Sequence, residues 1–152
     1  MNSIIIGMVY AEGDPRCPIN EISLKKYQQL GASILAEEKL LQTLEDAAAT
    51  KQEIETAERK EILQKAQVLY SNLPLARKDL KELNEDAILI SFYQPYSPDN
   101  QIDTLESLPN RAFSMDMIPR STIAQSMDAL SSMASISGYK AVLLAADRLP
   151  RY

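Results

Sequence analysis

The sequence contains no histidine, no tryptophan and only one cysteine. The absence of histidine excludes Ser–His–Asp triads, imidazole general bases and histidine ligands for a metal. The single cysteine, Cys17, excludes an internal disulfide and a CxxC site, and this usage is typical of a reducing cytosol. We therefore expect a chemistry that works without an imidazole.

Positive charge is also scarce, since the formal net charge is −5. A nucleic-acid partner held by counterion release is therefore not expected. No continuous apolar run approaches the roughly 18 residues of a membrane helix, and acidic Glu12 and Asp14 come too early for a signal peptide. These features predict a soluble, cytoplasmic protein. Its 152 residues are the length of a single domain, expected over residues 1–152.

The apolar residues gather in short runs at residues 4–10, 66–70, 87–93 and 111–117. Three of the runs are continuous rather than alternating, which is typical of strands covered on both faces of a parallel sheet. Helical patterns separate the runs, and this alternation predicts a three-layer α/β fold with a mostly parallel sheet. The expected strands are residues 4–9, 33–36, 67–70, 88–92 and 112–115.

Helix boundaries are marked by capping residues. Asn20 and Ser23 offer N-cap oxygens ahead of an apolar pattern, and Gly31 follows it, where a helix C-terminus favours a residue that tolerates positive φ. Residues 37–65 combine good helix formers with mixed charges, which indicates a solvated helical face. Prolines introduce two further expected helices, at residues 75–83 and 99–108.

The C-terminal quarter has few charges, with only Arg120, Asp128 and Lys140 between residues 117 and 146. This pattern predicts a long helix over about residues 124–145 that closes the fold. One face of that helix is expected to join the core, and the opposite face is small, polar and almost uncharged. The expected core face consists of Met127, Leu130, Ala134, Ser137, Ala141, Leu144 and Ala145.

The polar residues of this region also have purely structural interpretations. Thr122 and Gln125 stand at the spacing of a capping box, so Gln125 could satisfy a helix-end amide. Asp128 lies where the helix dipole favours a carboxylate, and Arg120 could be an ordinary surface arginine. From the pattern of residues, both the structural and the functional interpretations remain open.

One segment carries a family resemblance. Residues 115–139, MDMIPRSTIAQSMDALSSMASISGY, resemble the nicotinamide-contacting loop and helix of proton-translocating NAD(P) transhydrogenase, in the NAD(H)-binding part of its alpha subunit. Residues 88–95 (ILISFYQP) and 6–18 (IGMVYAEGDPRCP) resemble earlier segments of the same family. Residues 145–152 (AADRLPRY) resemble its connecting helix. The resemblance implies a Rossmann-like domain of the alanine dehydrogenase/transhydrogenase N-terminal superfamily.

The resemblance also implies a site and its partners. Arg120 would hold the nicotinamide end of NAD(H), and Gln125 would reach toward the incoming NADP(H). Asp128 and Ser131 would orient the loop and the ring. Hydride would pass from NADH to NADP⁺ on a partner domain, with no metal. The implied partners are NADP-binding and membrane-spanning components that place the chain at the periphery of the inner membrane, and a homodimer at full length.

Departures from the family pattern leave alternatives open. The chain has no GxGxxG loop, so the NAD-binding domain that follows in the family is missing. The chain is therefore expected to be a fragment inactive by itself, or else a separate subunit. Ile123 replaces a family arginine, so a non-catalytic binding or regulatory module is the alternative. An alanine dehydrogenase relative is less favoured, because Asn72 and Gln94 stand near positions where that enzyme uses lysine and histidine.

Overall fold

A computed structural model of the chain describes residues 3–44 and 53–149. The chain divides into two compact units, Met1–Ser114 and Met115–Tyr152. All strands of the described residues lie in the first unit, and the longest described helix lies in the second.

The first unit is built on a six-stranded sheet in which every strand pair is parallel. The strand order is β3-β2-β1-β4-β5-β6, the order of a Rossmann fold. The predicted α/β class and parallel sheet are confirmed. The strands are β1 (Ile4–Met8), β2 (Ala32–Ala36), β3 (Glu55–Thr56), β4 (Val68–Tyr70), β5 (Ile88–Ser91) and β6 (Arg111–Ser114).

The described helices before the last have four to nine residues each, whereas the last has 20 residues. The α-helices are α1 (Glu21–Gln29), α2 (Glu38–Leu41), α3 (Arg59–Lys65), α4 (Ile102–Glu106) and α5 (Ala129–Arg148). Single turns of 3₁₀-helix lie at Asp79–Glu82, Met115–Met117 and Gln125–Met127.

The prediction of a solvated helical face over residues 37–65 is only partly correct. The segment holds α2, the short edge strand β3 and α3, and residues 45–52 lie outside the described part of the chain. β3 was missed because its two residues, Glu55 and Thr56, pair only at the sheet edge and are both exposed. The expected helix at 75–83 is reduced to one 3₁₀ turn, because a short helical segment gains too few hydrogen bonds to offset the cost of helix nucleation.

Two apolar cores cover the two faces of the sheet, which gives three layers. Successive residues of a strand point to opposite faces, so Met8 and Val9 enter different cores. The same alternation divides Ile34 from Leu35 on β2. One core contains Val9, Leu35, Ile62, Leu63, Ala66, Leu69, Leu75, Ala87, Leu89 and Tyr93. The other contains Met8, Ile19, Leu24, Ile34, Ala36, Leu40, Leu41 and Ile54.

The predicted cap of α1 is confirmed. The Asn20 side chain accepts a hydrogen bond from the Ser23 N–H at 2.9 Å. The Ser23 hydroxyl oxygen accepts one from the Asn20 N–H at 2.9 Å, which completes a capping box. Gly31 follows the helix with φ of +75°, so only a residue without a side chain adopts this turn without strain.

Gly7 allows α3 to pack directly on β1. A Cβ atom at Gly7 would lie 2.6 Å from the Ala66 Cβ and 2.8 Å from the Ile62 Cγ2. Both atoms belong to residues that are fully buried in the core on that face. The sheet and helix layers are therefore closer here than any side chain would permit.

We predict that Gly7→Ala lowers the free energy of unfolding by about 1–3 kcal/mol, because an overpacked core must shift its backbone to accept the methyl group. Urea denaturation measures the change. Gly138→Ala is the matched control, since no described residue lies within 4 Å of a Cβ there, and alanine is about 1 kcal/mol better than glycine in a helix. Equal stability of Gly7→Ala and the wild type would contradict the close packing.

The second unit departs from the sequence expectation. The long helix begins at Ala129 rather than near residue 124, and no residue of it is buried. On the face expected to be core, Leu130 is 39% exposed and Leu144 is 44% exposed. That part of the prediction is wrong, because an apolar face shows that a helix can be covered but not that this chain covers it.

α5 also meets the length and composition of a membrane span, with a mean hydropathy of 1.2 over 18 residues and none of that window buried. No continuous apolar run in the helix reaches this length, and the hydropathy value is an average across several serines, Gly138 and Lys140. Length and composition by themselves do not distinguish a membrane span from a helix that packs on another protein surface.

Candidate functional site

The loop before α5 is shaped by hydrogen bonds within the loop. The Ser121 N–H donates to the Pro119 carbonyl at 2.9 Å, which turns the chain at Arg120. The Ala124 N–H donates to the Ser121 hydroxyl at 3.3 Å, and the Asp128 N–H donates to the Gln125 carbonyl at 3.3 Å. Hydrogen bonds between residues of the loop therefore hold its main chain in place from Pro119 to Asp128.

Asp128 is the N-cap of α5. Its carboxylate accepts one hydrogen bond from the Ser131 N–H at 3.0 Å and another from the Ser131 hydroxyl at 2.5 Å. The interpretation of Thr122 and Gln125 as a capping box is wrong, because the helix begins one turn later than expected. The structural interpretation of Asp128 near a helix N-terminus is confirmed, because its carboxylate caps the first turn of α5.

The loop and the start of α5 enclose a cleft of 270 Å³, which we name the Arg120 cleft. All four residues that the sequence analysis selected line it. The full lining is Arg120, Ser121, Thr122, Gln125, Asp128 and Ser131. Ser121 was not among the site residues predicted from the sequence. Its position directly after Arg120 in a turn is the feature that could have identified it.

The Arg120 cleft contains one positively and one negatively charged side chain, Arg120 and Asp128. Asp128 is 6% exposed, whereas Arg120, Gln125 and Ser131 are exposed. The Ser131 hydroxyl and N–H lower the pKa of the Asp128 carboxyl, with a smaller contribution from the positive charge of Arg120. At neutral pH the cleft therefore presents a fixed carboxylate, a guanidinium, an amide and three hydroxyl groups.

A second cleft, of 390 Å³, lies in the first unit beyond the carboxyl ends of β1 and β4. Its centre is Arg59, whose Nε donates to Asp79 at 3.0 Å and whose Nη1 donates to Glu37 at 2.9 Å and to the Tyr10 carbonyl at 3.0 Å. The sequence analysis missed this network, because its members are far apart along the chain. Since Arg59, Glu37 and Asp79 already have partners, the network ties together the loops at the carboxyl ends of the strands.

Neither Asn72, which follows β4, nor Gln94, which follows β5, is a basic residue. The amide of Asn72 donates to the Arg16 carbonyl at 2.7 Å and to the Asp14 carbonyl at 3.3 Å, so it braces a loop. Gln94 follows β5 with φ of +47°. Within residues 3–44 and 53–149, no group of three or more acidic, cysteine or histidine side chains is placed to hold a metal ion.

We predict that the pKa of the Asp128 carboxyl lies below the usual value of an aspartate and that Ser131→Ala raises this pKa, since the strongest hydrogen bond to the carboxylate is lost. Because the native pKa is lowered, the cap stabilises the helix at pH values above the unfolded pKa and is lost as pH falls through the native value. NMR of the Asp128 carboxyl carbon measures the titration.

The matched control for this prediction is Ser132→Ala. The Ser132 hydroxyl donates to the Asp128 main-chain carbonyl at 3.3 Å and not to its carboxylate. The Asp128 pKa should therefore be unchanged in Ser132→Ala. A shift of the same size in both variants would contradict the assignment of the Ser131 hydroxyl as the dominant partner.

The family of the chain is shown by a sequence profile that matches residues 10–137 and is described as "Alanine dehydrogenase/PNT, N-terminal domain". The match covers most of the described strands and the Arg120 cleft. It ends inside α5, between Ala129 and Arg148.

Curated relatives are alpha subunits of NAD(P) transhydrogenase. The Haemophilus influenzae protein is 29% identical over 137 residues, which cover 89% of this chain and 27% of that protein. The Cereibacter sphaeroides protein is 38% identical over 76 residues, which cover 50% of this chain and 14% of that protein. The chain thus matches about a quarter or less of the length of these two relatives.

A solved structure of transhydrogenase from Sinorhizobium meliloti has the same fold, with a TM-score of 0.81 at 24% identity. The alignment covers 97% of this chain and 45% of that one. The strand order, the matched profile and these relatives agree with one another, and the chain belongs to the alanine dehydrogenase/PNT N-terminal domain family, as the N-terminal domain type of transhydrogenase alpha subunits.

Proposed function

We propose that the chain is part of the NAD(H)-binding component of a proton-translocating NAD(P)⁺ transhydrogenase, and that the Arg120 cleft receives the nicotinamide end of NAD(H). The observation that carries the proposal is the placement of Arg120, Gln125, Asp128 and Ser131 around one cleft. Membership of the family and the names of its curated relatives support the class of reaction.

The chemistry of the cleft fits this end of the cofactor. A carboxamide and a ribose offer hydrogen-bond donors and acceptors, and the lining supplies a guanidinium, hydroxyls, an amide and a carboxylate. The volume of 270 Å³ is smaller than the roughly 300–1,000 Å³ of pockets that bury whole ligands. The cleft therefore suits one end of a dinucleotide, and the remainder needs another protein surface.

Each residue has a role that its position supports. Arg120 donates to the carboxamide or the ribose from the tip of its turn. Gln125 has an exposed side chain that can reach a second nucleotide bound opposite. Asp128 and Ser131 are positioning residues, because their mutual hydrogen bonds fix the loop against the start of α5.

The bound cofactor supplies the hydride, which passes to NADP⁺ on a partner domain. The protein orients the nicotinamide end and excludes water, and this transfer needs no general acid and no metal. A homodimeric assembly with NADP-binding and membrane-spanning components completes the proposed enzyme. The chain by itself lacks a GxGxxG turn for the pyrophosphate, so we propose weak NAD(H) affinity and no transfer by this chain in isolation.

A nucleotide titration followed by two-dimensional NMR tests the proposed site in the chain as it stands. NADH should shift the amide resonances of residues 120–131 and leave those around Arg59 unchanged. Arg120→Ala should weaken the response, because the donor to the carboxamide is lost. Thermal unfolding of the variant is the control, since Arg120 is exposed and its removal should not change stability.

Calorimetry distinguishes the proposal from its alternative. Weak binding of NADH agrees with an incomplete site, whereas tight binding would contradict the proposal. An absence of any NADH-induced shift at residues 120–131 would favour a non-catalytic binding or regulatory module that retains the fold.

The Gln125→Ala variant tests the role of that residue in hydride transfer. In an assembly with the NAD- and NADP-binding partner domains restored, the variant should slow the transfer of hydride, by up to about 100-fold if the rings are displaced by 1 Å. Its melting temperature should stay at the wild-type value, because Gln125 caps no helix with its side chain. A wild-type rate would remove Gln125 from the proposed site.

A further inference from the structure

The 390 Å³ cleft of the first unit lies where the strand order of the sheet reverses. β1 pairs with β2 on one side and with β4 on the other. In open α/β sheets, ligands bind in the crevice beyond the carboxyl ends of the strands at such a point. Tyr10, Glu37 and Ser71 come after β1, β2 and β4, and all three line this cleft, which we name the switch-point cleft.

The charges that line the switch-point cleft balance one another. Three acidic and three basic side chains contribute: Glu12, Glu37, Asp79, Lys39, Arg59 and Lys78. Because these side chains have no net formal charge, neither an anion nor a cation gains an overall electrostatic attraction there. A neutral ligand that both donates and accepts hydrogen bonds is not affected by this balance. Hydroxyl groups meet the condition, because each donates one hydrogen bond and accepts others.

Several of these polar groups are held in position by the chain itself. Arg59 pairs with one oxygen of Glu37 and one of Asp79. Glu37 Oε1 and Asp79 Oδ1 make no hydrogen bond to any described residue, so both are available as acceptors. Lys39 Nζ lies 4.2 Å from the centroid of the Tyr10 ring, a cation–π contact that restricts the ammonium group. Groups that are already ordered lose less conformational entropy when a ligand binds.

Ser71 supplies a hydroxyl group that the fold leaves unused. The residue is 4% exposed and lines the switch-point cleft, and its hydroxyl makes no hydrogen bond to the residues that the structure describes. A buried polar group without a partner is destabilising. A hydroxyl of this kind beside a cleft therefore indicates that a ligand supplies the partner. The neighbouring Asn72 differs, because its amide already bonds the carbonyls of Asp14 and Arg16.

We infer that the switch-point cleft binds a small neutral polyol, of the size of a monosaccharide, through adjacent hydroxyl groups. Glu37 and Asp79 accept hydrogen bonds from the ligand, and Lys39 and Ser71 donate to it. The volume lies at the lower end of the roughly 300–1,000 Å³ of ligand pockets. A nucleotide is not expected there, because no net positive charge balances its phosphates. The inference rests on the first unit and not on the proposed hydride transfer.

Titration of the chain with D-ribose, D-glucose and myo-inositol, followed by two-dimensional NMR, tests the inference. At least one of the three should shift the amide resonances of residues 10–12, 37–39 and 71–73 and leave those of residues 120–131 unchanged. Inorganic phosphate is the anionic control and should not shift these resonances. No response to any of the three polyols, or a stronger response to phosphate than to all of them, would overturn the inference.

Ser71→Ala tests the unused hydroxyl. The variant should raise the dissociation constant of the polyol that binds about three- to tenfold, the equivalent of one hydrogen bond. Its melting temperature should not fall, because the hydroxyl has no partner among the described residues. Ser91→Ala is the matched control, since Ser91 is 2% exposed and its hydroxyl is also unpaired, but it is not among the described residues that line the cleft. Equal weakening by both variants would contradict a direct contact with Ser71.

Lys39→Met is an independent test that does not depend on a buried residue. Lys39 is exposed, so the variant should fold, and methionine removes the ammonium group while it keeps an unbranched side chain. The polyol should bind more weakly to this variant and normally to Lys26→Met, whose exposed lysine lies on α1. Wild-type affinity in Lys39→Met would overturn the inference. NADH-induced shifts at residues 120–131 are measured separately, so this failure is distinguishable from failure of the proposed function.

Discussion

The two hydrogen bonds from Ser131 to the Asp128 carboxylate organise the second unit. They satisfy donors at the start of α5, and they fix where the preceding loop must end. Since the helix can begin only after Asp128, Gln125 is left in a 3₁₀ turn with its side chain toward solvent. Arg120 then lies across the Arg120 cleft from the capped helix end. The Asp128–Ser131 pair thus brings Arg120 and Gln125 to the same cleft as the start of α5.

Structural and functional interpretations of Asp128 are therefore compatible. A carboxylate that caps a helix is held in one position and stays ionised at neutral pH, because its hydrogen bonds lower its pKa. Those are also the properties that a positioning residue needs beside a ligand. The Arg59 network of the first unit also lines a cleft, but each of its charged groups already has a partner within the chain.

Gly7 and α5 show two opposite uses of small residues. At Gly7 the missing side chain is required by the atoms of Ala66 and Ile62, which already occupy the space. At Gly138 no described residue lies within 4 Å of a Cβ position, so no contact in the described part of the chain requires glycine. The difference explains why the same residue type stabilises the packed sheet in one unit and weakens an exposed helix in the other.

The sequence by itself determined the parallel sheet, the cap of α1 at Asn20 and the turn at Gly31, and the family resemblance of residues 115–139 pointed to four of the residues that line the Arg120 cleft. These features depend on local hydrogen bonds and on short apolar runs, which neighbouring residues define. Only the tertiary structure decided the edge strand β3, the Arg59 network and the exposure of α5. Pairing at a sheet edge, ion pairs between distant loops and the covering of a helix face depend on which segments meet in space, and local sequence does not specify this.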